Sequence, residues 1–283
     1  MKIAVVGLGL IGGSIALDLR SQITVNVIGV DANKQHCNTA KNMGLVDCIM
    51  DLDSAIIASK VIILATPVDV IETLLPHILD NIGTDTIVMD VGSTKSDICI
   101  KVGNHKNRKQ YVATHPLAGT EYSGPEAALK NLFNGAKNII CEKDKSSKKA
   151  LQSVLDICHS LGMITNYMSP IEHDKHLAYV SHLSHVTSFA LGLTVLDIEK
   201  DEKQIFNLAS TGFRSTSRLA KSNPKTWAAI FGKNRKHLCA ALDGYINTIQ
   251  KFRKAISENN IPEMEKLMRE ANNIKRILIE NNN

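Results

Sequence analysis

Lys2-Ile3-Ala4-Val5-Val6-Gly7-Leu8-Gly9-Leu10-Ile11-Gly12-Gly13-Ser14 decides the reading of the whole chain. The apolar, partly β-branched run Lys2–Val6 predicts a buried strand. Glycines then follow in the spacing G-x-G-x-x-G, and residues 15–20 are helix-compatible. In that context each glycine has its own task. Gly7 permits a tight turn, Gly9 lets the backbone approach a diphosphate, and Gly12 lets the helix pack closely on the strand. The free N–H groups and the dipole of the helix N-terminus then face the diphosphate. A second apolar strand over 25–30 ends at Asp31, 19 residues beyond Gly12 (31 − 12). A carboxylate at that position accepts hydrogen bonds from an adenosine ribose. The competing reading is a glycine-rich turn in an unrelated α/β protein. The strand before the turn, the helix after it and Asp31 argue together against that.

At 283 residues the chain can bury a large core, and its length favours two domains. The net charge is +5 (33 − 28), with no long basic run and 4% aromatic residues. A nucleic-acid surface needs clustered cations or stacking rings, so none is expected. A mildly basic pocket for an acidic small molecule fits better. The six cysteines, Cys37, Cys48, Cys99, Cys141, Cys158 and Cys239, form no C-x-x-C pair and predict free thiols in a reducing compartment. The first strand begins at Lys2, which leaves no room for a signal peptide. No stretch is apolar for long enough to predict a transmembrane helix. The expected location is the cytoplasm.

Outward from the glycine turn, strand and helix patterns alternate as far as Met168. A helix over 33–43 stops at Gly44. A strand over 61–65 ends at Thr66-Pro67, before a helix over 68–79. A strand over 86–89 ends at Asp90-Val91-Gly92-Ser93, before a helix over 96–102. A strand over 111–113 ends at Thr114-His115-Pro116. Strands over 138–141 and 163–167 flank a helix over 147–161. Repeated βαβ units predict a mostly parallel sheet with helices on both faces, and ligands bind beyond the carboxyl ends of such strands. After Met168 only helical periodicity remains: 171–196, broken near Gly192; 204–209; 224–255, kinked near Gly232 and Gly244; and 262–280, followed by a frayed polar tail. The expected architecture is an α/β, Rossmann-type nucleotide-binding domain over 1–168, then an all-α domain over 169–283.

Thr66, Ser93 and His115 each follow a strand of this parallel sheet, so all three emerge on the edge where the nucleotide lies. A histidine fixed there suits general base catalysis, because it titrates near neutrality. Ser93 can bond substrate or histidine, or cap the helix at 96; the two roles are compatible. Beyond the sheet, His182 and His185 stand three apart on one helix face, with no carboxylate or cysteine at ligand spacing, so no metal site is expected. Arg214 and Arg218 stand four apart, and a guanidinium fork matches a carboxylate. For Arg214 a plain surface role is equally open. Trp227, the lone tryptophan, reads as packing.

These residues carry a resemblance to the prephenate/arogenate dehydrogenases of the tyrosine pathway. The matching stretches are Gly7–Ser14, Asp90–Lys95, His115-Pro116-Leu117-Ala118-Gly119-Thr120-Glu121, Val180-Ser181-His182-Leu183 and Gly212 through Arg218. The histidine stretches are more specific than the glycine turn, which many dehydrogenases share. The resemblance implies a dimer formed by the helical domain, His115 as catalytic base, Ser93 as its hydrogen-bonding partner, and His182 and Arg218 as substrate-binding groups. Two residues depart from the usual pattern: Ser184 stands where the family commonly has proline, and Ser215 where it often has an acid.

The expected NAD contacts are Gly7, Gly9, Leu10, Ile11, Gly12, Asp31, Thr66, Pro67 and Ser93. The Asp31 carboxylate repels the 2′-phosphate of NADP, and Lys34 is the only cation close after it. The expected substrate contacts are His182, Arg218, Arg214, Thr120 and Glu121. The expected reaction is oxidative decarboxylation of prephenate. Arogenate is the nearest alternative substrate, and a β-hydroxyacid dehydrogenase, an imine reductase or an NAD-responsive binding protein are more distant readings. Against the β-hydroxyacid enzymes, Lys175 lacks the flanking glycines of their catalytic lysine, and the helix here offers His176 and His182 instead.

Overall fold

The computed structural model describes residues 1–22, 25–200 and 204–276. The order is β1 (Lys2–Val6), α1 (Leu10–Gln22), β2 (Asn26–Val30), α2 (Lys34–Asn42), β3 (Cys48–Ile49), α3 (Leu52–Ala58), β4 (Val61–Leu64), α4 (Val68–Asn81), β5 (Ile87–Asp90), α5 (Ser96–Val102), β6 (Tyr111–Pro116), β7 (Lys137–Cys141), α6 (Lys148–Ser160) and β8 (Ile164–Met168). Helices follow: α7 (Pro170–Leu177), a π-helical turn (Ala178–His182), α8 (Leu183–Glu199), α9 (Thr211–Thr216), a 3₁₀ turn (Arg218–Lys221), α10 (Pro224–Lys233), α11 (Arg235–Ser257) and α12 (Ile261–Asn272). The described residues up to Arg235 pack as one compact unit, and those from Lys236 onward as another.

The eight strands form one sheet in the order β3-β2-β1-β4-β5-β6-β7-β8. Alternation along β1 sends Ile3 and Val5 into the core on one face, and Ala4 and Val6 into the core on the other. Each fully buried Ile or Leu contributes about 1.5–3 kcal/mol, so both faces of these strands must be covered by helices. The chain order reverses between β1 and β4, the topological switch point where open sheets of this kind bind ligands.

Most strands lie within a residue or two of their sequence-based bounds. The exceptions have physical reasons. α1 begins at Leu10, not near Ile15, with Gly12 and Gly13 inside its first turns. β3 and α3 were not anticipated, because two and seven residues are too short to show a period. β7 runs antiparallel to β6, with His115 opposite Ile139, and apolar periodicity carries no direction. β6 continues through Thr114, His115 and Pro116, which places His115 within a strand and not after one. The expected helix over 171–196 is interrupted by the π turn, and Gly192 lies within an unbroken α8. Residues 205–208 form a short 3₁₀ turn. α10 ends one residue after Gly232, while α11 runs through Gly244 without a break. The expected helix end at 280 and the polar tail lie outside the described residues.

Candidate active site

The glycine turn is built as its sequence demands. Gly7 has φ +96°, and a Cβ there would sit 2.6 Å from the Ala65 carbonyl oxygen. A Cβ on Gly12 would sit 1.9 Å from the Gly7 carbonyl oxygen, so the close approach of α1 to the turn requires glycine. At Gly9 an added Cβ meets nothing within 4 Å, which leaves open space beside the backbone. The first N–H groups of α1, from Leu10 and Ile11, have no partner within the helix and are available to a diphosphate. Asp31 braces the turn: its carboxylate accepts the Leu8 and Asn33 N–H groups at 2.8 Å each, and His36 Nδ1 lies 3.4 Å away. Its remaining lone pairs can accept from ribose hydroxyls. Thr66, at the tip of β4, holds a buried hydroxyl without a hydrogen-bond partner among the described residues, and the next residue, Pro67, is exposed at the start of α4. A free backbone cradle, open space at Gly9 and an orphaned hydroxyl fit a dinucleotide.

Past the switch point, β5 and β6 carry a buried polar cluster. The Lys95 ammonium and the Asp90 carboxylate are both fully buried and form an ion pair. Asp90 also accepts the Tyr111 hydroxyl at 2.7 Å and the Gly92 N–H at 2.8 Å. Removing one partner of such a pair costs about 3–5 kcal/mol, because the other charge is left unpaired. This pair therefore pins the β5–α5 loop that carries Ser93.

His115 is buried beside that cluster, and its Nδ1 lies 2.8 Å from Nε2 of His173. His173 Nδ1 in turn lies 2.8 Å from Oδ1 of Asp174. Local sequence sets up this arrangement. Ser169 and Glu172 form a capping box and Pro170 opens the helix, which fixes where α7 starts. His173, Asp174, Leu177 and Ala178 are then turned inward, while Lys175 and His176 are exposed. Asp174 also accepts the Lys95 and Ser96 N–H groups at 2.8 Å each, and so caps α5 from another element. Its negative charge at that helix N-terminus is favourable.

Burial pushes the His115 pKa well below the usual histidine value, and the neighbouring His173, Lys95 and His182 push the same way. Burial also lowers His173, although the Asp174 hydrogen bond pulls in the opposite direction. For Asp174, burial alone would raise the carboxyl, but the His173, Ser96 and Lys95 donors outweigh it and the net direction is down.

His182 ends the π turn, a feature that re-aims side chains within helices. Asn234 donates through Nδ2 to the Asp174 carbonyl oxygen at 2.6 Å, and the same Nδ2 lies 3.0 Å from His182 Nδ1. An amide nitrogen is a donor only, so His182 Nδ1 accepts and its hydrogen sits on Nε2. Burial lowers the pKa of His182 to about 4, so it is neutral at pH 7. His185 takes a different partner: its ring stacks on Trp227 at 3.3 Å between centroids. Trp227 is packed as expected, against His182 and Phe231 as well as His185.

The sequence-based set is only partly brought together. Arg218 Nη1 pairs with Glu121 Oε2 at 2.8 Å, joining two residues expected to meet substrate. Thr120 lies on the same loop, where its hydroxyl accepts the Tyr122 N–H. Arg214 is exposed on α9 and makes no ion pair among the described residues, and Ser215 beside it is exposed too. Ser93 is half-buried and makes no side-chain hydrogen bond among the described residues. The expected Ser93 bond to His115 is not formed among the described residues; the Nδ1 of that ring meets His173 instead. His173, Asp174, Asn234 and Lys95 were missed. One available signal was that His173-Asp174 opens the first helix after the sheet, close to the strand carboxyl ends.

A doubly wound sheet, a backbone cradle with room for a diphosphate and a carboxylate beside it, and a buried neutral histidine on β6 fit an NAD-dependent dehydrogenase. The nucleotide-binding domain of prephenate dehydrogenase matches residues 15–167, and the dimerization domain of prephenate dehydrogenase matches residues 169–270. The chain belongs to the prephenate dehydrogenase family. It is 29% identical to the prephenate dehydrogenase of Bacillus subtilis, over 95% of this chain and 74% of that one. Prephenate dehydrogenase from A. aeolicus, solved with hydroxyphenyl propionate and NAD+, superposes with a TM-score of 0.86 at 30% identity, covering 99% of this chain and 98% of that one. Synechocystis arogenate dehydrogenase gives 0.75 at 30% identity, covering 98% and 100%. No helix among the described residues is long and apolar enough to cross a membrane.

Proposed function

We propose that the chain oxidatively decarboxylates prephenate to 4-hydroxyphenylpyruvate on the route to tyrosine, with His115 as the base. The observation that carries this is a buried histidine, neutral at pH 7, on the strand next to the nucleotide edge. NAD, when bound, supplies the hydride acceptor. His115 takes the hydroxyl proton as the ring C–H bond releases its hydride. The pair of the C–C bond to the ring carboxylate then flows through the ring to that oxygen, CO2 leaves, and the phenolate takes a proton back from His115. His182 donates its Nε2–H to a substrate oxygen. Arg218 uses N–H groups other than the one engaged by Glu121 to hold a substrate carboxylate. Thr120 and Glu121 line the approach from the loop after β6, and Ser93 bonds cofactor or substrate. Arg214, exposed and unpaired, is a weaker member of the set.

Residues 1–168 form the nucleotide-binding part and 169–283 the substrate-binding and dimer-forming part. Support for a homodimer comes from exposed Leu193, Leu196 and Ile198 on α8 and, within the second unit, exposed Ile246 and Ile249 on α11. Six unpaired thiols suit the cytoplasm. Initial rates with prephenate and arogenate, each with NAD and NADP, test the reading. Prephenate with NAD is expected to be fastest, with CO2 released in step with NADH. Faster turnover of arogenate would reassign the substrate, and no NAD reduction with either would overturn the proposal.

A further inference from the structure

The inner ends of α7 and β6 hold a hydrogen-bonded line whose proton positions follow from its far end. Asp174 accepts from two backbone N–H groups and from His173 Nδ1. An ionised carboxylate has no proton to give, so the hydrogen between them belongs to His173 Nδ1. A neutral His173 then has a bare lone pair at Nε2. That lone pair lies 2.8 Å from His115 Nδ1, so the hydrogen in this contact belongs to His115 Nδ1. The second nitrogen of His115, Nε2, is left without a proton.

We propose that His173 and Asp174 are positioning residues that lock His115 in its Nδ1–H tautomer and so present Nε2 as the proton acceptor. The inference rests on the assignment of His115 as the base. The same residue sets the opposite tautomer at His182: the Asp174 carbonyl orients Asn234, which holds a donor against His182 Nδ1. One turn of α7 thus gives the site one ring that accepts at Nε2 and one that donates there. The line also has a defined failure at acid pH. A solvent proton binds His115 Nε2, the Nδ1 proton passes to His173 Nε2, and the base is lost although His115 itself stays neutral. The acid limb of the rate therefore belongs to the pair, not to one ring. The charged and titratable groups facing the pair are Lys95, Asp90, Asp174 and His182.

The test combines nitrogen-15 NMR of the histidine-labelled enzyme at neutral pH with kinetics of His173→Leu, His173→Gln and His115→Asn. The His115 ring is expected to show a protonated Nδ1 and a bare Nε2. His173→Leu should lose kcat by roughly 10²–10⁴-fold, the range for a base held in the wrong tautomer, with KM and NAD affinity little changed. His173→Gln, whose Oε1 can accept the same hydrogen bond, should recover most of that loss but show a shifted acid limb. A protonated Nε2 on His115 in the spectrum, or parental kcat with an unmoved acid limb in both His173 variants, would overturn the inference. If His173→Leu no longer binds NAD, the spectrum and the glutamine variant decide. Retained kcat in His115→Asn would instead defeat the assignment of the base, a result that can be told apart from either outcome at His173.

Discussion

His115 and His182 are buried alike, at 8% and 1% exposure, and burial keeps both neutral. They differ in what meets Nδ1. At His115 it is a ring nitrogen whose own proton is committed to a carboxylate. At His182 it is an amide nitrogen that can only donate. Burial sets the charge of each histidine, while the partner on the inner nitrogen sets whether the outer one takes or gives a proton. Sequence position alone does not separate a base from a binding group.

The widest way to split the two is substitution. His115→Asn should lower kcat by roughly 10²–10⁴-fold, the usual contribution of a general base, with NAD binding intact. His182→Asn should act mainly on KM. A larger kcat loss in the second variant would exchange the two roles.

Arg218→Ala comes next. Arg218 is half-exposed and already shares one N–H with Glu121, so the effect should be a KM rise of about 10–100-fold, as for a charge-assisted contact that is only partly desolvated. An unchanged KM would return Arg218 to the surface. Glu121→Gln frees the guanidinium and should not reproduce that rise.

Stability against pH sharpens the claim that both rings are neutral. Their folded pKa values lie below the unfolded value near 6.5. Between the folded value and pH 6.5, the unfolded chain therefore binds more protons than the folded one. Stability should be flat in this respect above pH 6.5 and fall as pH drops towards 4, by about 1.4 kcal/mol per pH unit for each ring that stays neutral. Thermal melts read this directly, and a Tm that did not fall below pH 6 would contradict it. The smallest effect expected is at the cofactor edge, where Asp31→Asn should narrow the preference for NAD over NADP by about tenfold, since the carboxylate repels a 2′-phosphate.

The sheet was legible because its strands are short apolar runs punctuated by glycine and by polar tips, and both signals are local. β3, α3 and the reversed β7 were not, since two-residue strands have no period and strand direction leaves no mark on apolar patterning. Within the candidate site, His115, Arg218 and Glu121 could be named from motifs and strand ends. The partners that decide chemistry could not. His173 lies 58 residues from His115, and Asn234 lies 52 from His182. Their encounters are made by packing, and so is the burial of Lys95 beside Asp90.

The most direct measurement is kcat against pH for the parent enzyme, His115→Asn and His182→Asn, side by side. An acid limb is expected in the parent and in His182→Asn, and its disappearance, along with most of the activity, in His115→Asn. Near-normal kcat with the same acid limb in His115→Asn, together with loss of the limb in His182→Asn, would contradict it.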